Sequence, residues 1–199
     1  MIRSTDQDEQ GKVLLKIARD AICRALHVPC DPVKTDAGMD WLQQPGATFV
    51  TLTRYGQLRG CIGSLEASNP LIENVRNNAV AAALRDPRFS PLSADELDSV
   101  HVEVSLLSRQ QPVSFTSETD VLTQLRPGID GVVLEYGQHR STFLPQVWEM
   151  LPEPGQFLAK LKAKAYLPED FWDEGIRLSR YTVSKWHEMD DTKGEGTNG

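Results

Sequence analysis

Cysteine is scarce in this chain, and the few present do not pair by spacing. Cys23, Cys30 and Cys61 are odd in number, form no CxxC and have no histidine at metal-ligand spacing. That pattern supports neither a disulfide framework nor a structural zinc site, and it predicts a reducing cytoplasm. Basic residues are also in deficit, with 21 Lys and Arg against 28 Asp and Glu, a net charge of −7 and an isoelectric point near 5.1. A partner held mainly through phosphates needs clustered cations, so nucleic acid is not expected. The longest apolar run, Ala79 to Leu84, is far too short to span a bilayer, which removes the membrane as a partner. Arg3, Asp6, Asp8 and Glu9 stand where a secretory leader would place a basic stub and an apolar core. No internal repeat, low-complexity linker or cofactor motif is visible: neither a phosphate-cradling glycine signature nor a CxxxCxxC cluster occurs, so no cofactor and no metal are expected.

What remains is an ordinary globular composition. The 199 residues are 40% hydrophobic and 25% charged, enough to bury roughly 70% of the unfolded surface. Much of the charge is peripheral: the groups at 3–9 sum to −2 and those at 190–195 to −2, leaving −3 for the body. We expect one domain over 10–188, divisible into two subdomains, with polar flexible termini at 1–9 and 189–199.

Apolar spacing predicts an amphipathic helix over 7–27, with Val13, Ile17, Ile22 and Leu26 on one face and Cys23 a packing residue. Pro29, Pro32, Gly38, Pro45 and Gly46 break the next stretch into a loop with one turn near Met39 to Leu42. Thr48 to Thr53 and Gln57 to Gly63 flank Tyr55-Gly56 as a hairpin. An Ala-rich helix follows from Pro70 to Arg85, stopped by Pro87, and Val100 to Leu107 alternates as a half-buried strand. Val132 to Tyr136 and His139 to Leu144 flank Gly137-Gln138, a pair suited to a type II′ turn that sets Glu135 opposite Arg140. Helical patches near 146–151, 157–165 and 169–174 precede a last strand over 176–186 and a polar tail over 192–199. Lys160, Lys162 and Lys164 read as a solvated surface. Hairpins and helices without a βα rhythm give an α+β fold with a mainly antiparallel sheet.

The stretch Leu58-Arg59-Gly60-Cys61-Ile62-Gly63 carries the chemistry. Strand alternation sets Arg59 and Cys61 on one face. A regular two-residue turn would pair Val50 with Cys61 and Leu52 with Arg59, wrapping a guanidinium in apolar side chains. A shielded arginine needs an anion, and positive charge beside a thiol favours the thiolate. Gly60 and Gly63 remove bulk where a ligand or another backbone approaches. The competing reading makes Cys61 a small buried hydrophobe and the glycines packing residues. Glu103, mid-strand with His101 and Ser105 on its face, is the second candidate, with Arg59 the economical partner if its carboxylate is buried. Asp86-Pro87-Arg88-Phe89 reads as a structural corner in which only Arg88 is not required by the turn. His139 and His101 are candidate bases that no spacing places beside Cys61.

These segments resemble a known family. Gly46 to Leu52, Leu58 to Gly63, Asn78-Ala79, Asp86 to Phe89, Glu103 to Ser105, Asp130-Gly131 and Leu144 to Trp148 look like the ordered signature of the AMMECR domain family, whose prokaryotic branch is AmmeMemoRadiSam system protein A. The resemblance spans roughly residues 10–188. It implies an antiparallel sheet flanked by helices, a smaller subdomain, a cleft near the hexapeptide, and association with Memo-like and radical SAM proteins. It delivers no settled reaction.

Two functions stay open. A binding protein would use Arg59, Gly60, Gly63, Arg88 and His139 to hold a small anionic ligand or a partner. An enzyme would use Cys61 as nucleophile or redox thiol, with Glu103 orienting Arg59 or moving a proton.

Overall fold

In the computed structural model, residues 4–30, 32–33 and 39–188 are described. The polar tail over 192–199 lies outside them. The chain forms two compact units, one from the residues up to Leu106 together with those from Ser184, the other from Leu107–Val183. The fold is α+β with antiparallel pairing, and none of its helices among the described residues is long and apolar enough to cross a membrane.

In the first unit, α1 (Ser4–Ala25) and α2 (Leu71–Leu84) pack together over a four-stranded sheet. Its strands are β1 (Ala47–Arg54), β2 (Gln57–Gly63), β3 (Val100–Leu107) and β8 (Val183–His187), in the order β2-β1-β3-β8. Leu14, Ile17 and Ile22 meet Val75, Ala79, Val50, Leu52, Val102 and Val104 in one core. The α1 face matches its apolar spacing, but the helix starts at Ser4, inside the segment expected to be flexible, and ends at Ala25.

That end is a Schellman closure. His27 takes φ 58°, its N–H donates to Arg24 O at 3.2 Å, and the Val28 N–H donates to Cys23 O at 2.9 Å. The reversal brings Cys30 back over the last turn, where it forms a disulfide with Cys23 across a Cα separation of 6.1 Å. The expectation of three unpaired thiols is therefore corrected, and with it the inference from them to a reducing setting. Spacing along the chain did not show that a left-handed residue folds the two cysteines together.

In the second unit, β4 (Gln111–Pro112), β7 (Arg177–Tyr181), β5 (Gly131–Tyr136) and β6 (His139–Phe143) form a second sheet in the order β4-β7-β5-β6. Its core gathers α3 (Glu118–Gln124) and α4 (Pro154–Lys164) around Val132, Leu134, Leu161 and Leu178. The Trp148 ring stacks on Phe157 at 3.7 Å, and the Trp148 indole N–H donates to Asp130 O at 2.7 Å. The β5–β6 hairpin has the predicted register, with Glu135 opposite Arg140, and Gly137 supplies φ 56° at its turn.

Three expectations fail here. The predicted final strand is two strands in different sheets, because Thr182 leaves the ladder to exchange hydrogen bonds with Ser108. Residues 169–174 form turns and irregular backbone, not helix. Lys162 is not solvated: it is 1% exposed, with Nζ donating to Glu118 Oε1 at 2.8 Å and Phe171 O at 3.0 Å.

Candidate functional site

The β1–β2 hairpin turns through Tyr55 (φ 51°) and Gly56 (φ 75°), and Arg54 pairs with Gln57. Positive φ at both central residues is the type I′ geometry that matches strand twist. The register then shifts. Thr53 faces Leu58, yet Leu52 faces Gly60 and Thr51 faces Cys61, so Arg59 is the extra residue of a β-bulge. The expected pairs Val50 with Cys61 and Leu52 with Arg59 do not form.

The bulge decides what each residue touches. Leu52 and Val50 are fully buried opposite Gly60 and Ile62, so the core side of this hairpin contains no guanidinium. Gly60 lies directly against the Ala82 carbonyl of α2, and Gly63 against the Phe49 ring. Both glycines admit close packing by the protein's own atoms.

Arg59 is sheltered, with 13% of its side chain exposed, and it has its anion, which is Glu96 rather than Glu103. Nε and Nη2 donate to the two Glu96 oxygens at 3.1 and 2.9 Å, and Nη1 donates to Ser90 O at 2.9 Å. Glu96 also accepts from Arg54 Nη1 at 2.7 Å and from the Ser93 backbone N–H at 3.1 Å. The Arg59 hydrogen bonds, followed by the Ser93 N–H, hold the Glu96 carboxyl at about 2, well below its ordinary 4.5. Glu96 belongs to a 3-10 helix, Ala94–Ser99, that opens with a Ser93/Glu96 capping box. Its one sequence signal was that S-x-x-E spacing before an apolar strand. Glu103 instead lies half-buried on β3, with Oε1 3.9 Å from Lys185 Nζ.

Cys61 sits at the outer edge of the first sheet, since β2 is its terminal strand. An edge strand presents N–H and C=O groups that need partners. Here the corner after α2 supplies them: Asp86 Oδ2 accepts the Cys61 N–H at 2.8 Å, and Arg88 Nη2 donates to Cys61 O at 3.1 Å. Asp86 and Arg88 also bind each other through Nε at 3.0 Å and Nη2 at 2.7 Å. The carboxylate and guanidinium act as a one-residue strand laid along β2. The Arg88 hydrogen bonds lower the Asp86 pKa against the opposing effect of burial, and Asp86 in turn raises that of Arg88. The Cys61 thiol is half-buried and free, and Thr51 Oγ1 donates to its sulfur at 3.3 Å.

The structure thus brings Arg59, Gly60, Cys61, Gly63, Asp86 and Arg88 to one strand and its border. His139 belongs to the second unit, where Nδ1 lies 2.7 Å from Ala165 O.

A family model, AMMECR1, matches residues 15–186. The chain belongs to the AMMECR1 family. A member from Methanothermobacter thermautotrophicus is 39% identical over 184 residues, covering 90% of this chain and 95% of that protein. A Sulfolobus acidocaldarius member is 35% identical over 195 residues, covering 93% and 84%. The crystal structure of an uncharacterized protein from Pyrococcus horikoshii superposes with a TM-score of 0.74 at 33% identity, covering 90% of this chain and 92% of that one. The AMMECR1 match includes the hexapeptide, the 86–89 corner and the 93–96 capping box.

Proposed function

We propose that this AMMECR1 protein is a binding component that works with Memo-like and radical SAM proteins, as in an AmmeMemoRadiSam system, through the surface around Cys61. One observation carries the reading: the charged groups around the hexapeptide are spent on holding the strand. Arg59 is matched by Glu96, and Asp86 by Arg88 and the Cys61 N–H. A catalytic set would commit such groups to the thiol or to a substrate. Arg88 alone combines this anchoring with solvent contact, 53% of its side chain being exposed, so it can meet a carboxylate or phosphate on a partner or on a small anionic ligand. Arg59 then positions the strand rather than contacting the ligand. A cytoplasmic setting belongs to the same reading.

The test is calorimetric titration with the Memo-like and radical SAM proteins of the same genome. Micromolar binding that survives Cys61→Ser and weakens about tenfold in Arg88→Met, measured at a temperature where both variants are folded, supports the reading. No association with either protein contradicts it. The enzyme reading keeps one specific support, the Thr51 hydroxyl donating to the Cys61 sulfur at 3.3 Å. It predicts that Cys61→Ser abolishes a turnover shown by the intact thiol.

A further inference from the structure

The register of β2 determines which of its backbone groups face β1 and which face outward. The Ser64 N–H donates to Thr48 O at 3.0 Å, and Val50 faces Ile62 in the same register, so residues 62 and 64 carry the ladder to β1. The N–H and C=O groups of Cys61 and Gly63 therefore point out of the sheet edge. Those of Cys61 are closed by Asp86 and Arg88. Those of Gly63 have no partner among the described residues, and Gly63 is only half-buried. The Phe49 ring lies where a Gly63 side chain would project, on the sheet face, which leaves the edge itself open to a second backbone. Beside it, Arg88 commits Nε and Nη2 to Asp86 and to Cys61 O, while its Nη1 has no partner among the described residues. The Arg88 guanidinium stands 5.5 Å from the Phe89 ring centroid with 53% of the side chain exposed.

We propose that this edge receives the C-terminal end of a partner protein, added to β2 as a short antiparallel strand; the proposal rests on the binding role of the Cys61 surface and names the part of the partner it holds. The direction follows from the order of the two features. A chain running antiparallel to β2 meets Gly63 first and reaches the level of Cys61 two residues later. There the Asp86 and Arg88 side chains already occupy the edge, so the incoming chain has to end. Its residue opposite Gly63 donates its N–H to Gly63 O and accepts the Gly63 N–H on its own carbonyl. The next residue is the last, and its carboxylate arrives beside Arg88, whose unspent Nη1 donates to it. A parallel strand would instead bring an N-terminal ammonium against the guanidinium. An internal segment would run into Asp86.

The test is titration of the full chain, labelled with nitrogen-15, with synthetic C-terminal octapeptides of the Memo-like and radical SAM proteins of the same genome, each as free acid and as amide. One free acid should bind, shift the Gly63 amide resonance and slow its hydrogen exchange about tenfold or more at saturation. The matching amide should bind about tenfold more weakly to the wild-type protein, a comparison that needs no folded variant. Arg88→Met, at a temperature where it is folded, should bind acid and amide alike. Equal affinity of acid and amide for wild type, resonance shifts that leave Gly63 unmoved, or discrimination retained in Arg88→Met would each overturn the proposal. Full-length partners that bind while neither free-acid peptide does would overturn it and leave the binding role standing, whereas partners that do not bind at all would remove both.

Discussion

Glu96 holds two arginines from neighbouring strands, Arg59 by two hydrogen bonds and Arg54 by one. Its depressed folded pKa, about 2 against 4.5, fixes a pH window. The stabilisation is complete above the unfolded value and disappears as pH falls from about 4.5 toward 2, where protonation dissolves the pair. Glu96→Gln should therefore lower unfolding free energy by about 2 kcal/mol at pH 7 and flatten the acid limb of urea midpoints across that window. A residual slope in the same direction should persist from Asp86, which is also depressed. Sequence reading found Arg59 and its need for an anion but assigned Glu103, because strand alternation favoured a carboxylate on a strand. The Ser93-to-Glu96 spacing signalled a helix start, and nothing in it indicated that the capping carboxylate would also bind two guanidinium groups. Lys162 escaped notice for a related reason: on a short helix its charge looks solvated, and only the packing of α3 and the 169–174 turns buries it beside Glu118.

Elements with strong local signals were legible. The half-buried alternation of Val100 to Leu107 forms β3 with those bounds, and Gly137-Gln138 sets the β5–β6 register. The bulge at Arg59 was not legible, since one inserted residue changes no composition and no period, yet it moves Leu58 to the exposed face, 44% open, opposite Thr53. The two kinds of glycine separate these effects experimentally. Gly60 abuts the Ala82 carbonyl, a backbone atom that cannot swing aside, so Gly60→Ala should cost about 3 kcal/mol by urea denaturation. Gly137 has φ 56° with open space around it, so Gly137→Ala should cost only about 1 kcal/mol, the backbone penalty alone. Equal costs would mean that β2 does not press on α2.

At the scale of the whole molecule, composition and periodicity identified an α+β chain, and the ordered segments identified the family. The division of the last strand between two sheets was hidden, because Ile176 to Trp186 alternates continuously while its hydrogen-bond partners change at Thr182. The disulfide is likewise a property of the assembled first unit. Its ends are seven residues apart, and closing so short a loop should contribute about 2.5 kcal/mol, so Cys30→Ser should lower the unfolding free energy by that amount in the absence of reductant. In the second unit, Phe157 is fully buried and stacked on Trp148, so Phe157→Ala should cost about 4 kcal/mol and change Trp148 fluorescence.

The central claim is that the surface around Cys61 binds and does not react. Affinity of Cys61→Ser for the proposed Memo-like and radical SAM partners, measured beside wild type and Arg88→Met, tests it most directly. The account predicts a Cys61→Ser dissociation constant within about threefold of wild type and a loss of about tenfold in Arg88→Met. Loss of binding in Cys61→Ser, or binding unchanged in Arg88→Met, would contradict it.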